Sequence, residues 1–252
     1  FAVELGVKTV IALPGVPREM EHIMQTIVVD YLKKRYDLQD EIILPWVIHT
    51  ISMGESSIDE IIGDMGKLSN PSVGLLAHPG QTDVRVTAKA TSSEEAQEMM
   101  EPVIMEIREK LKDYIFGENE DTIQSVVAHE LIEDAQTICI FEVGTGGVIK
   151  EALSEHMTPE QLSGQVLDVD ITHDTFKTLM HEYREKKKAD MVLGAMLTPK
   201  GEQQELYVAL LDNEKLNEYQ RIYGGPPGDA IRWSLNVGLD QIRTRLKELK
   251  GS

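Results

Sequence analysis

Thr137-Ile138-Cys139-Ile140-Phe141-Glu142-Val143-Gly144-Thr145-Gly146-Gly147-Val148-Ile149 carries the pattern that decides the fold. A short apolar run feeds a Gly-Thr-Gly-Gly turn, and a helix-like segment follows. Strand, tight turn and helix N-terminus together hold small polar or anionic ligands through backbone N–H groups. Gly144, Thr145, Gly146 and Gly147 are therefore candidate ligand-binding residues. Glu142 could orient a ligand, or could end the strand at the surface. The plainer reading is a tight turn with Thr145 as helix N-cap, and the residues alone favour it. Thr145 as a nucleophile is disfavoured, because no base stands near it in sequence.

Around this stretch, residues 117–252 alternate helical and apolar β-like segments, the pattern of a three-layer α/β domain. Thr122 can cap a helix carrying Ile123, Val126, Val127 and Leu131. Val166–Ile171 reads as a strand and Asp174–Lys188 as a helix ending in three lysines, which suit its C-terminus. Met191–Met196 and Glu205–Leu211 read as strands about a turn at Thr198–Gly201. After the loop Gly224–Asp229, a last helix carries Ile231, Leu235, Leu239, Ile242, Leu246 and Leu249 at spacings of three and four.

Residues 39–116 read as a small α+β domain in the order strand, helix, strand, strand, helix. Ile42–Ile51 is the first strand, and Val73–Ala77 and Val84–Ala90 flank a loop at His78–Asp83. In the last, Val84, Val86 and Ala88 alternate with Arg85, Thr87 and Lys89, which predicts one wet face. No G-x-x-G loop before a helix is read here, so Arg85 and Lys89 read as structural. Residues 1–38 offer one strand, Val7–Leu13, and one helix that Pro17 can start. They read as the remnant of a larger unit.

Composition narrows the functions. With 25 basic and 43 acidic residues the formal charge is −18, which argues against nucleic acid as a partner. Cys139 is the single cysteine and lies in an apolar run, so it reads as an inert buried thiol. Asp168, Asp170, His173 and Asp174 are dense in donors but match no known metal-ligand spacing, so a polar loop is favoured. No metal and no cofactor are expected. No apolar run has the length of a membrane span and no signal peptide is visible, so the expectation is a cytoplasmic protein without membrane contact. The apolar faces of the last helix and the middle domain predict a homo-oligomer, as a dimer.

Three pieces in order resemble the competence/damage-inducible protein CinA family. Leu13-Pro14-Gly15-Val16-Pro17-Arg18-Glu19-Met20 resembles the LPGVPxEM segment that ends its molybdopterin-binding-like domain. Gly54-Glu55-Ser56 and Pro79-Gly80…Val84-Arg85-Val86-Thr87-Ala88 resemble its KH-like middle domain. Glu142-Val143-Gly144-Thr145-Gly146-Gly147 resembles the ESCTGG motif of its C-terminal domain. The resemblance implies a nicotinamide-nucleotide amidohydrolase that releases ammonia from nicotinamide mononucleotide through the motif's serine, aided by Tyr and Lys. It implies a nicotinamide or other nucleotide as ligand, and makes Lys177, the nearest counterpart of its Tyr-Ser-Asn-x-x-Lys segment, and Arg232, in a match to its Ile-Arg pair, further ligand-binding candidates. An N-terminal domain linked to ADP-ribose pyrophosphatase activity would precede Phe1. This chain departs from the pattern where it matters. The nucleophile position is Val143, which has no oxygen to attack a carboxamide. The expectation is a nucleotide-binding or scaffold paralogue. An active hydrolase using other residues, and a structural oligomerisation protein, are the alternatives.

Overall fold

The computed structural model describes residues 1–38 and 41–251. It is a mixed α/β structure built on three sheets. A hairpin of β1 (Ala2–Leu5) and β2 (Lys8–Ile11) opens the chain. Helix α1 (Pro17–Ile23) follows, with Pro17 in its first turn, and a π-helical turn at Met24–Val28 leads into α2 (Val29–Tyr36). The helices lean on the hairpin through polar contacts. Tyr31 donates to Glu4 at 2.5 Å, Arg35 to the Gly6 carbonyl at 2.7 Å and Tyr36 to Thr9 at 2.8 Å. Only Val28 is buried among the first 38 residues, so this segment has no core of its own.

The second sheet has the order β4-β5-β3-β6. Strand β3 (Ile42–Ile51) has the bounds the sequence predicts, despite Pro45 in its middle. Its pairing explains the tolerance. β6 (Ile115–Glu118) covers only Ile48–Thr50, so Pro45 lies in the half of β3 with one neighbour strand. Helix α3 (Glu55–Ile62) comes next, followed by β4 (Ser72–His78), β5 (Gln81–Ala90) and α4 (Ser93–Leu111). The six-residue loop expected at His78–Asp83 is instead a two-residue hairpin turn, Pro79-Gly80, because both strands extend into it. The wet face is as read: Val84, Val86 and Ala88 are buried while Arg85 and Lys89 are exposed. Ser92 caps α4 by accepting from the Glu95 N–H, and the Glu95 carboxylate returns to the Thr91 N–H at 2.8 Å. One reading is corrected here. Gly63-Asp64-Met65-Gly66 is a G-x-x-G after α3 that runs into a 3-10 turn at Met65–Lys67, with strand β4 next in the chain. It escaped because a single 3-10 turn carries no helical periodicity to mark a loop before it.

The third sheet has the order β11-β10-β9-β7-β8. Its elements in chain order are α5 (Ile123–Glu133), β7 (Ile138–Val143), α6 (Val148–Ser154), β8 (Leu162–Leu167), α7 (His173–Lys187), β9 (Met191–Lys200), β10 (Gln203–Leu211), β11 (Leu216–Tyr223) and α8 (Pro227–Lys250). β7 pairs parallel with β8 and β9, and every one of its residues is buried. That burial on both faces is why it reads as a continuous apolar run. Ile138 and Ile140 pack under α5, α6 and α8, while Cys139, Phe141 and Val143 pack under Phe176, Met180 and Tyr183 of α7. Strand β8 begins four residues before the expected Val166, and the turn expected at Thr198–Gly201 shrinks as β9 and β10 extend. Strands β6 and β11 and the hairpin strand β1 were not read from sequence. The first two are short or strongly polar, and each depends on a partner strand for its pairing. β6 spans the junction expected at 116/117, and the junction expected at 38/39 falls at residue 39, outside the described residues.

Candidate functional site

Parallel strands β7, β8 and β9 end at one edge of the sheet, and antiparallel β10 brings β11 to end there too. Helices α6, α7 and α8 all start from that edge, which is where open α/β sheets place ligands. The Gly144–Gly147 turn follows β7, between the ends of β8 and β9. Gly144, Gly146 and Gly147 have φ of 70°, 73° and 84°, in the left-handed region that glycine enters freely.

Glu142 behaves unlike either expectation. It is fully buried, on the face of β7 covered by α6 and α8. Its carboxylate accepts from the Thr145 hydroxyl at 2.6 Å, the Ile149 N–H at 3.2 Å and the Lys150 N–H at 2.9 Å. An internal anion thus takes the first-turn donors of α6 that an external phosphate would use. Thr145 is not the N-cap. Gly147 holds that position, and Thr145 spends its hydroxyl proton on Glu142. The absence of a base near Thr145 is also corrected, since the fold supplies the Glu142 carboxylate, but both groups are buried.

Val143 points the other way, into a cluster with Phe176, Met196 and Tyr207. Beyond it lies a polar network. Tyr207 donates to the Glu218 carboxylate, Lys177 stands 3.3 Å from Glu218 and 3.6 Å from Asp174, and His173 stacks on Tyr207 at 4.5 Å. Burial and the Glu218 carboxylate push the Tyr207 phenol well up, so it stays protonated as a donor. Glu218 is held below the usual carboxylate range by its hydrogen bond from Tyr207, with Lys177 adding to it. Lys177 therefore joins the α7 face. Arg232 lies on α8, which covers the opposite face. The two candidates do not meet around the turn.

Arg232 instead lines a cavity of about 730 Å³ between the second sheet and the N-terminal half of α8. Val148 reaches the same cavity. Its floor is a cluster that sequence spacing did not reveal. His49 contacts Asp83 through Nδ1 at 2.8 Å and the Asn119 carbonyl through Nε2 at 2.9 Å. His78 Nε2 lies 3.2 Å from the other Asp83 oxygen, and Gln81 donates to Asp83 at 2.8 Å. Both His49 nitrogens face oxygen acceptors, an arrangement that favours the doubly protonated ring. The Asp83 hydrogen bond accordingly raises the His49 pKa above its ordinary value, against the effect of burial. Burial alone would raise the Asp83 carboxyl, but the His49 and Gln81 hydrogen bonds bring it below its ordinary value. The signal available in sequence was the β3–β5 register, which sets His49 opposite Asp83. Asp168, Asp170, His173 and Asp174 do not assemble, and no group of three or more His, Cys, Asp or Glu among the described residues is arranged to hold a metal.

Residues 46–117 match the family described as the damage-inducible protein CinA KH domain. A "CinA-like protein" from Dictyoglomus turgidum is 40% identical over 151 residues, covering 60% of this chain and 36% of that protein. A "putative competence-damage inducible protein" from Clostridium perfringens is 36% identical over 146 residues, covering 58% and 35%. A "CinA-like protein" from Deinococcus deserti is 33% identical over 169 residues, covering 67% and 39%. The matched chain thus spans little more than a third of these relatives. Among solved structures, a competence or damage-inducible protein from Enterobacter asburiae superposes with a TM-score of 0.44 at 14% identity, over 50% of this chain and 99% of that one. A CinA superfamily protein from Klebsiella pneumoniae gives 0.45 at 13% identity, over 50% and 96%. The chain is a relative of the CinA-like, competence/damage-inducible proteins and carries the CinA KH domain family over residues 46–117.

Proposed function

We propose that this CinA-like chain keeps the scaffold of a nicotinamide-nucleotide amidohydrolase and lacks its serine chemistry, serving as a nucleotide-binding or scaffold paralogue. We divide it into units of residues 1–38, 39–116 and 117–252. One observation carries the reading. Val143, at the position of the family's nucleophile, is 3% exposed within an apolar cluster, and offers neither an oxygen nor access. The neighbouring hydroxyl, Thr145, is 1% exposed and bound to Glu142. The saturated Glu142 carboxylate supports a turn kept for the fold, with any nucleotide held by the open outer side of Gly146 and the surrounding helix starts. The test is ammonia release from nicotinamide mononucleotide. The expected rate equals the protein-free blank; robust turnover that Thr145→Ala abolishes would overturn the proposal.

The convergence of Tyr207, Lys177 and His173 on Glu218 and Glu205 favours a second reading, a hydrolase that uses other residues. Its mark would be turnover that survives Thr145→Ala and is lost in Lys177→Met. Thermal shift with nicotinamide nucleotides separates both from a purely structural protein, since a ligand bound only by the native state raises its stability.

A further inference from the structure

The cavity between the second sheet and α8 is built from groups whose bonding capacity is incompletely used. Arg232 forms no ion pair among the described residues, although 43 acidic side chains outnumber 25 basic ones. Gly228 lines the cavity one turn before it and offers its N–H at a helix start whose N-cap, Pro226, has no side chain to give. In the same turn Pro227 has no N–H, the Asp229 N–H is bonded to the Pro226 carbonyl at 3.0 Å, and Asp229 adds a carboxylate. Asn236, 3% exposed, donates its amide to the Pro79 carbonyl at 2.7 Å, and its Oδ1 has no donor among the described residues. Glu120 adds a carboxylate with no partner among the described residues, while Phe116 and Leu235 form an apolar wall. His49 and Asp83 are saturated by each other and by Asn119 and Gln81, so they fix the floor and leave recognition to the groups above it.

We infer that this cavity binds a small organic anion bearing hydroxyl groups, a phosphorylated or carboxylated polyol. Its charge would lie against Arg232 and the first turn of α8, and its hydroxyl groups would donate to Asn236 Oδ1 and Glu120. A guanidinium is the side chain suited to phosphate and carboxylate, and free acceptors select donors on the same molecule. A volume of about 730 Å³ lies within the range of small-molecule sites, with both the apolar wall and the convergent polar groups such sites show. The site stands whether or not the Gly144–Gly147 edge holds a nucleotide.

Calorimetric titration of the full chain with glucose 6-phosphate, gluconate and glucose tests it. Glucose 6-phosphate and gluconate separate the phosphate from the carboxylate source, and binding of either supports the site. Neutral glucose should bind at least about tenfold more weakly. Arg232→Gln, an exposed change, should weaken the anion about tenfold without moving the melting temperature. Leu235→Trp, which fills the cavity, should abolish binding. No saturable binding of either anion by about 10 mM, equal binding of glucose, or binding unchanged by both substitutions would overturn the inference.

Discussion

At the residue scale, the two outer glycines of the first Gly-x-Gly answer to different constraints. A Cβ on Gly144 would stand 2.1 Å from the Leu197 carbonyl oxygen, whereas one on Gly146 would meet nothing within 4 Å. Gly144→Ala should therefore lose about 3 kcal/mol or more through strain and overpacking, and Gly146→Ala about 1 kcal/mol for the left-handed backbone alone. Urea denaturation reads the difference, and equal losses would refute it. His49 and Asp83 make a second residue-level prediction. The raised His49 pKa contributes stability that is complete below its ordinary 6.5 and fades as pH rises through the folded value. The lowered Asp83 pKa contributes stability that is complete above its ordinary 3.8 and fades as pH falls through the folded value. His78 and Gln81 also face Asp83, and Asp121 acts on His49 from the β6–α5 loop. The melting-temperature gap between the native chain and Asp83→Asn should peak near about pH 5 and narrow by about pH 9. A gap that widens with pH would contradict this. The candidate site was legible only in part at this scale. The Gly-rich turn announced itself, because glycine is the residue that left-handed turns require. The buried role of Glu142 did not, because a charged residue in an apolar run gives no sign of the donors that the following helix will bring to it.

At the element scale, α8 is the member that joins two sheets. Its leucine periodicity predicted a helix, but the face carrying Leu239, Ile242 and Leu246, expected to meet a second copy, is buried in the larger core of its own chain. The same helix also presents polar side chains to the second sheet. Ser52 donates to Asp240, Asp240 holds Arg243 at 2.6 Å, and Arg243 reaches the Ile115 and Asp113 carbonyls at 3.4 and 3.5 Å. Asp240 and Arg243 are each 3% exposed, so removing one leaves the other buried and unpaired. Asp240→Ala should lose about 3–5 kcal/mol, and the pair Asp240→Leu with Arg243→Met much less. Chemical denaturation of both variants checks this; a double variant as unstable as the single one would show that the pair itself, and not the orphaned charge, dominates. The contacts to Ser52, Ile115 and Asp113 were illegible in sequence because those partners lie more than 100 positions away, whereas Asp240 and Arg243 stand only three apart on the helix.

At the scale of the whole molecule, the three sheets are unequally supplied with core. The second and third bury full clusters and meet at the end of β3, where Ile48 joins one core and Ile51 the other. The first 38 residues leave Phe1 85%, Leu5 63%, Val7 83% and Ile27 62% exposed. Apolar surface on this scale gains by being covered. The faces of α8 and of the second sheet expected to drive oligomerisation are packed into the chain's own cores, so we propose self-association through these exposed residues instead. Light scattering on the purified chain should then give a mass of two chains or more, and a single-chain mass across the concentration range would refute it. No helix among the described residues is long and apolar enough to cross a membrane. The sequence by itself determined what local chemistry can dictate. It set the strand–turn–helix around Gly144–Gly147, the two-faced strand β5, the capped helices α4 and α5, and the absence of a hydroxyl at Val143. Those follow from periodicity, backbone freedom and side-chain inventory, all of which are written in consecutive residues. Only the tertiary structure decided where the polar groups go. It buried Glu142 under α6, parted Lys177 from Arg232 across the sheet, and brought His49, His78 and Asp83 to one cavity floor. The pairing of distant strands and the packing of α8 made those choices, and no local pattern encodes them.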